Sequence, residues 1–286
     1  MPEMPEVEGL AQFLRERAVG RALTGVEVGA ISALKTFSPA PTDLVGRAVA
    51  AVARHGKWLD LATGDDGPHL VFHLAKAGWL RWYDAVPAAM LRPGKSPIAL
   101  RVRLDDDSGF DLTEAGTRKR LAVHVVTRPE EVRAIETLGI EPEELTAQKL
   151  GELLTAKNQQ IKGLLRDQSV IAGIGNAYSD EILHAARMSP FALTRSFDAA
   201  ATERLLEAIG AVLSAAVDEA AGKPAKELKD SKRRSMKVHG RTGEPCPVCG
   251  DIVREVSFAD SSLQYCPTCQ TEGKILADRR MSKLLR

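Results

Sequence analysis

Four cysteines constrain this chain more than any other feature. They fall as Cys246-Pro-Val-Cys249 and Cys266-Pro-Thr-Cys269, a C-x2-C-x16-C-x2-C spacing, and the chain has no others. Each knuckle presents two thiolates to one tetrahedral ion, and Zn2+ takes four of them at about 2.3 Å. Four thiolates leave no open coordination position, so the zinc is structural and does no chemistry. A redox pair or chance cysteines would not arrive as two matched knuckles. The 16 residues between the knuckles suit a β-hairpin, with strands over 252–256 and 263–265 and a turn near Ala259-Asp260. Such a zinc ribbon does not specify a function by itself.

Upstream, hydrophobic periodicity divides the chain. Val7, Leu10, Phe13 and Leu14 fall at helical spacing, which predicts a helix over 5–18. Segments 22–30, 48–54, 57–63, 69–74, 78–83, 98–104, 109–113 and 120–126 are short, β-branched or alternating, and punctuated by Gly, Pro, Asp and Ser. That pattern predicts a sandwich or barrel, with hairpin turns at His55-Gly56 and over 105–109. From 129 the period becomes helical, predicting helices near 129–137, 143–156, 159–167, 176–187 and 197–221. Residues 222–241 are polar, basic and poor in apolar side chains, and read as a mobile loop or linker. The expected fold class is α+β. An N-terminal helix and β-sandwich occupy 1–128, a helical domain 129–221, a basic loop 222–241, and a zinc ribbon with its tail 242–286.

Charge is distributed unevenly. Residues 221–286 hold 14 Lys and Arg against 8 Asp and Glu, whereas the whole chain nets only +1. A basic C-terminal module on a mildly acidic body suits a polyanionic partner, nucleic acid above all. No apolar run approaches the roughly 18 residues of a membrane span, and the start has no apolar signal region. A monomer in the cytoplasm, with no membrane partner and its thiols reduced, is the expectation.

Two local features carry chemistry. Removal of Met1 would expose the secondary amine of Pro2, and an α-amino group titrates near 7.7–8.0, so part of it is nucleophilic at neutral pH. Such an amine attacking a sugar C1′ gives an iminium that acidifies the C2′ proton, while the neighbouring Glu3 could protonate the ring oxygen. On these residues alone, prolines introducing a helix is the simpler reading. The second feature is Gly173-Ile174-Gly175, a tight turn feeding a helix for which Asn176 is a good N-cap. Free N–H groups there make an anion site, and Lys162 on the preceding helix could reach a second phosphate.

Several stretches occur in order over nearly the whole chain: MPEMPEVE at the start, Lys57 within 54–59, His73-Leu74 through Gly78, Leu138-Gly139 with Glu141-Pro142, Ile161 through Glu181, and Gly240 through Gln270. Together they resemble the formamidopyrimidine-DNA glycosylase and endonuclease VIII family of base-excision repair enzymes. The resemblance implies a helix–two-turn–helix in the helical domain and damaged double-stranded DNA, bent in a cleft, as the partner. It implies Pro2 as Schiff-base nucleophile, Glu3 as acid at the sugar ring, and Lys57 as phosphate holder and aid to elimination. Asn176 and Lys162 would clamp phosphates, and Arg118 would be the counterpart of a DNA-binding arginine. The implied activity is a DNA glycosylase with β-lyase action on damaged bases or abasic sites, nucleoid-associated when on DNA. The pattern breaks in places. Residues 257–263 lack the family's finger-tip arginine and offer Asp260 instead. Lys76 stands in the loop of an apolar wedge. Residues 117–121 replace a second wedge region, and 222–241 is unlike the usual lesion-capping loop. These departures motivate an alternative, a lesion- or abasic-site-binding protein of the same fold with weakened catalysis.

Overall fold

Glu3 enters the first helix in extended conformation, and Pro5 falls in the first turn, where a missing N–H costs nothing. The resulting helix α1 (Met4–Ala18) buries Val7, Leu10, Ala11 and Leu14 along one face. The computed structural model of the chain describes residues 2–64, 66–92, 94, 96–115, 118–258 and 261–277. The chain divides into two compact units, Met1–Leu138 with Glu219–Asp230, and Gly139–Asp218 with Ser231–Arg286.

In the first unit eight strands follow α1: β1 (Leu23–Val28), β2 (Val49–His55), β3 (Trp58–Thr63), β4 (His69–His73), β5 (Gly78–Tyr83), β6 (Ile98–Leu104), β7 (Gly109–Glu114) and β8 (Ala122–Val126). Each lies within about two residues of its expected span, because period-2 alternation is read directly off a half-buried strand. They form two four-stranded sheets, β1-β6-β7-β5 and β2-β3-β4-β8. All pairings are antiparallel, with hairpins at the two turns foreseen. Leu59, Leu61, Leu70 and Phe72 from one sheet meet Leu80, Leu100, Phe110 and Leu112 from the other, and α1 joins the same core. The sandwich expectation is met. Ala220, Ala225 and Leu228, from the returning segment, complete this core. Trp79 Nε1 donates to the Ala225 carbonyl at 3.0 Å. The helix expected near 129–137 is a short 3-10 turn followed by α2 (Arg133–Glu136). Val132 and Ile135 cover Val71 and Val126 on the outer face of the second sheet.

The second unit holds α3 (Ala147–Ala156), α4 (Ile161–Arg166), α5 (Asn176–Ala185) and most of α6 (Ala199–Ala220). A close approach at Gly139 sets its entry: a Cβ there would lie 2.3 Å from Val170 backbone atoms. Gly139 N–H donates to the Gln168 carbonyl at 2.8 Å, in the turns between α4 and α5. Residues 222–241 depart from the loop reading, since they contain helix α7 (Leu228–Ser235). Composition misled here. Asp230 lies in the first turn and Lys232, Arg233 and Arg234 in the last, an arrangement that favours the helix dipole. Leu228 and Ser231 supply its buried side, and Met236, just past its end, is buried too. The finger follows with β9 (Arg254–Ser257), β10 (Ser262–Tyr265) and α8 (Pro267–Thr271). Its hairpin matches the expected one, though Ala259 and Asp260 at the turn lie outside the described residues.

One buried ion pair tests the sandwich. Arg101 grips Asp111 through Nε at 2.7 Å and Nη2 at 2.9 Å, and Tyr83 donates to the same carboxylate at 2.9 Å. Removing one partner leaves a desolvated charge unpaired. Asp111→Ala is expected to cost about 3–5 kcal/mol in urea unfolding. Cutting the exposed Arg133–Glu136 pair by Glu136→Ala should cost less than about 1 kcal/mol.

Candidate active site and metal centre

The start of α1 gathers acidic groups inside the fold. Pro2 is buried, and Glu3 and Glu6 are only 2% and 3% exposed. The Glu3 N–H donates to the Glu6 carboxylate at 2.8 Å, which satisfies a helix-start donor that burial would otherwise leave unmet. Two residues past Glu6, Glu8 accepts from Arg15 at 2.8 Å and from Arg54 at 3.0 Å. Burial alone would raise the Glu8 pKa, but the hydrogen bonds and charges of Arg15 and Arg54 together hold it below the ordinary carboxylate value. Arg54 also donates to the Gly56 carbonyl at 3.2 Å, in the turn that carries Lys57. A Glu8–Arg54–Gly56 chain therefore ties the Pro2–Glu3 helix start to the lysine turn. Sequence reading quoted Glu8 and Arg54 only as motif letters. Their function as ties becomes visible once β2 is laid beside α1.

Lys57 is itself buried, and it leaves a mark on its neighbour. His73, at the end of β4, has its pKa pushed down to about 4 by burial first and by the Lys57 charge second. Its Nδ1 faces the Ala75 N–H at 3.2 Å and accepts from it. The neutral ring thus carries its proton on Nε2. Ala75 sits in the left-handed region at φ 52°, so this bond supports a turn that alanine rarely adopts. Trp58 packs against the ring with centroids 4.9 Å apart. Lys76 follows in the exposed part of that turn. Arg118 is exposed in the loop between β7 and β8. Of the wedge-replacing stretch 117–121, Thr117 lies outside the described residues, as does Gly116 before it. The buried Glu114 carboxylate closes the end of this loop, accepting from Arg120 N at 2.7 Å and Leu121 N at 3.0 Å.

In the second unit the Gly-rich turn behaves as expected in backbone but not in side chains. Gly173 takes φ 81°, which favours glycine, and Gln168 spans the turn by accepting from Gly173 N at 3.1 Å and donating to Ile174 O at 2.7 Å. Gly175, not Asn176, is the N-cap, and Asn176 is the first residue of α5. The Asn176 amide instead donates to the Ser262 carbonyl of the finger hairpin at 2.8 Å. Its Oδ1 is buried with no hydrogen-bond partner among the described residues. Lys162 is a clearer correction. It was expected to face phosphate, yet it is 5% exposed. Its Nζ bonds the Asn176 carbonyl at 3.1 Å, Ser179 Oγ at 2.7 Å and Asp180 Oδ1 at 2.6 Å. An ammonium so engaged positions the helix start from within.

All four cysteine sulfurs lie within 4.8 Å of one another. Cys246 and Cys269 are 3.9 Å apart, Cys249 and Cys266 3.3 Å. Sulfurs each about 2.3 Å from one tetrahedral ion would be close to 4 Å apart, so the set fits one structural zinc. Among the described residues no other group of three or more His, Cys, Asp or Glu is suited to a metal. His184 on α5 points Nε2 at Cys246 Sγ, 3.3 Å away, and Gln270 donates to the Met188 carbonyl at 2.9 Å. These bonds seat the finger on α5 within its own unit.

Comparison with known proteins matches three successive stretches of the chain. Residues 1–123 match the sequence model of the formamidopyrimidine-DNA glycosylase N-terminal domain, 138–227 that of the formamidopyrimidine-DNA glycosylase H2TH domain, and 243–271 that of a zinc finger found in FPG and IleRS. A formamidopyrimidine-DNA glycosylase of Symbiobacterium thermophilum is 35% identical over 98% of this chain and 93% of its own length. An uncharacterized formamidopyrimidine-DNA glycosylase-like protein of Mycobacterium tuberculosis is 56% identical over 52% of this chain and 94% of its own length. Among solved structures, MutM in complex with carbocyclic 8-oxo-G containing DNA superposes with a TM-score of 0.82 at 25% identity, covering 94% of this chain and 100% of that chain. A Lactococcus lactis FPG mutant bound to Fapy-dG containing DNA gives 0.81 at 25% identity, covering 94% of this chain and 100% of that chain.

Two measurements check this geometry. One zinc per chain is expected by elemental analysis, and Cys266→Ser should release it and unfold the finger while the sandwich stays folded. For His73 the sign follows from its lowered pKa. Above the unfolded value near 6.5 the ring is neutral in both states and carries no protonation-linked penalty, and stability is lost as pH falls toward about 4. His73→Phe should remove on the order of 3 kcal/mol of that acid sensitivity, read as the difference in urea stability between the two ends of the window.

Proposed function

The chain belongs to the formamidopyrimidine-DNA glycosylase family and is a DNA glycosylase of base-excision repair, and from that premise we propose that it also cleaves abasic sites by β-elimination through Pro2. The observation that carries this reading is the tie from Glu8 through Arg54 to Gly56, which holds the Pro2–Glu3 helix start and the Lys57 turn in one frame. With Met1 removed, the Pro2 nitrogen attacks C1′ of the damaged nucleotide and gives up its N–H proton to water, and the base leaves with its bonding electrons. Glu3 protonates the opened ring oxygen. The resulting iminium acidifies C2′, the proton there is lost, and the 3′ phosphate departs. Hydrolysis of the iminium then frees the Pro2 amine. Lys57 neutralises phosphate charge beside the reacting sugar.

The partner is damaged duplex DNA, with the target nucleotide turned out of the stack. DNA-bound relatives such as the Lactococcus lactis complex support that partner. Phosphate accepts hydrogen bonds only, so Asn176 serves it through Nδ2 after releasing Ser262. Arg118, exposed beside Lys119 and Arg120, contributes to the same backbone-directed affinity, which falls steeply with salt. The protein acts as a monomer in the cytoplasm. No helix among the described residues is long and apolar enough to cross a membrane. A second reading, a lesion-binding protein with weakened catalysis, is favoured by one observation: Ser261, Ser262 and Leu263 lead into the third cysteine where an arginine would be expected.

Borohydride trapping on abasic duplex separates the two. The mature chain should form a covalent adduct, and chain retaining Met1 should form none. Glu3→Gln should slow base excision by about 10²–10⁴-fold, the usual contribution of a positioned acid. Cleavage products should be β-ended, with the δ-product scarce. Equal trapping with and without a blocked N-terminus would transfer the nucleophile to a lysine and defeat the reading.

A further inference from the structure

We propose that His239 is a second phosphate contact in the helical unit, and that it acts only when protonated, so that DNA binding takes up a proton there. The proposal rests on the DNA-binding reading above and names a group which that reading does not use. His239 Nδ1 lies 2.8 Å from Asp180 Oδ2. A carboxylate offers only acceptors, so Nδ1 carries a hydrogen in that bond. The other ring nitrogen is then a lone pair in the neutral form and an N–H in the cation. Phosphate oxygens accept and do not donate. Neutral His239 therefore has nothing to give a phosphate, whereas the cation has a charged donor.

The surroundings suit this role. Asp180 is fully buried, while the His239 side chain is 29% exposed. Lys162, bonded to the other Asp180 oxygen, is sealed at 6% side-chain exposure. Of the two side chains bonded to this carboxylate, the imidazole is the one that reaches solvent. Its place is also fixed. The Glu181 carboxylate accepts from the backbone N–H groups of Lys237, Val238 and His239 at 2.8, 2.9 and 2.8 Å. Gly240 N–H reaches Gln264 Oε1 at 3.4 Å. Because Lys162 bonds both Asp180 and the Asn176 carbonyl, His239 shares a frame with the first turn of α5. The sequence assigned a phosphate-facing cation to Lys162; the structure moves that duty to the other group on the same aspartate.

Every charged group facing the ring bears on its protonation. Asp180 is the carboxylate that Nδ1 contacts. Glu181 is engaged by three backbone donors, and Lys162 is bonded to the other oxygen of Asp180. Lys237 and Arg241 flank the ring in sequence and oppose its charge, although Arg241 is paired with Glu244 at 2.8 Å. Glu255 lies behind Gln264 and accepts from it at 2.9 Å. Lys232 of α7 sits over the Tyr178 ring at 4.5 Å. An approaching phosphate adds negative charge to this balance and drives proton uptake.

The test uses full-length, zinc-loaded protein and a fluorescent duplex carrying a tetrahydrofuran abasic analogue, titrated from about pH 5.5 to 8 at constant ionic strength. Wild type should gain about tenfold or more affinity toward acid beyond what His239→Gln gains, as a charge-assisted contact would give. At the acid end its salt slope should be steeper by about one. His239→Arg, a permanent cation, should bind tightly and lose that pH dependence. Should His239→Gln lose its zinc, the arginine variant decides alone. Matching pH and salt profiles in wild type and either variant overturn the proposal while leaving the DNA reading intact. If wild type binds no duplex at any pH, the DNA reading itself is overturned, and this inference with it.

Discussion

Asp180 and Glu181, adjacent on α5 and both buried, hold the helical unit together. Two neighbouring carboxylates inside a protein are costly unless every lone pair is answered. Here Asp180 takes an ammonium and an imidazole, and Glu181 takes three consecutive backbone N–H groups. The answer comes from two directions in the chain, α4 on one side and the approach to the finger on the other. The carboxylates thus fix the start of α5 and the entry to the zinc module at once. Asn176 and Ser262 meet because both ends of their bond hang from that frame.

The sandwich unit solves its charge problem in the same currency but with arginine. Arg54 spans from Glu8 to the Gly56 carbonyl, and Arg101 forks onto Asp111. A planar guanidinium serves two acceptors at fixed angles, which suits the alignment of a helix with a hairpin turn. A further buried carboxylate, Asp60, is shared between His69 at 2.8 Å and His55 at 3.3 Å across neighbouring strands. His55 immediately precedes the Lys57 turn. Both the glycosylase step and the proposed elimination need a nucleophile, an acid and a phosphate-neutralising cation kept in register. In this unit the Glu8–Arg54–Gly56 tie links the start of α1 to the turn before Lys57.

The sequence revealed elements better than partners. Eight strands were legible because alternation has a period that no helix shares, and the zinc site because four thiolates at fixed spacing have few other uses. The start of α5 was legible from its glycines. What stayed hidden depended on contacts between distant residues. Lys162 reads as a surface cation until Asp180, 18 residues on, is brought beside it. Asn176 looks like a cap, but Gly175 takes that position and frees the amide for Ser262, 86 residues away. Helix α7 was missed because its stretch is almost wholly polar, and a helix held by end charges and a few buried side chains has weak periodicity.

The sandwich core contains Ala220, Ala225 and Leu228, residues that follow most of the helical unit in the chain. A ribosome delivers residues in order, at about 5–20 per second. After Leu138 leaves the exit tunnel, on the order of ten seconds pass before Leu228 does. Throughout that interval the nascent sandwich carries an apolar face with nothing to cover it. The eight strands can pair meanwhile, but the domain cannot reach its final stability until the helices between have been made. Vectorial synthesis thereby gives this protein a built-in order of assembly, and the last segment to join the first unit is the one that seals it.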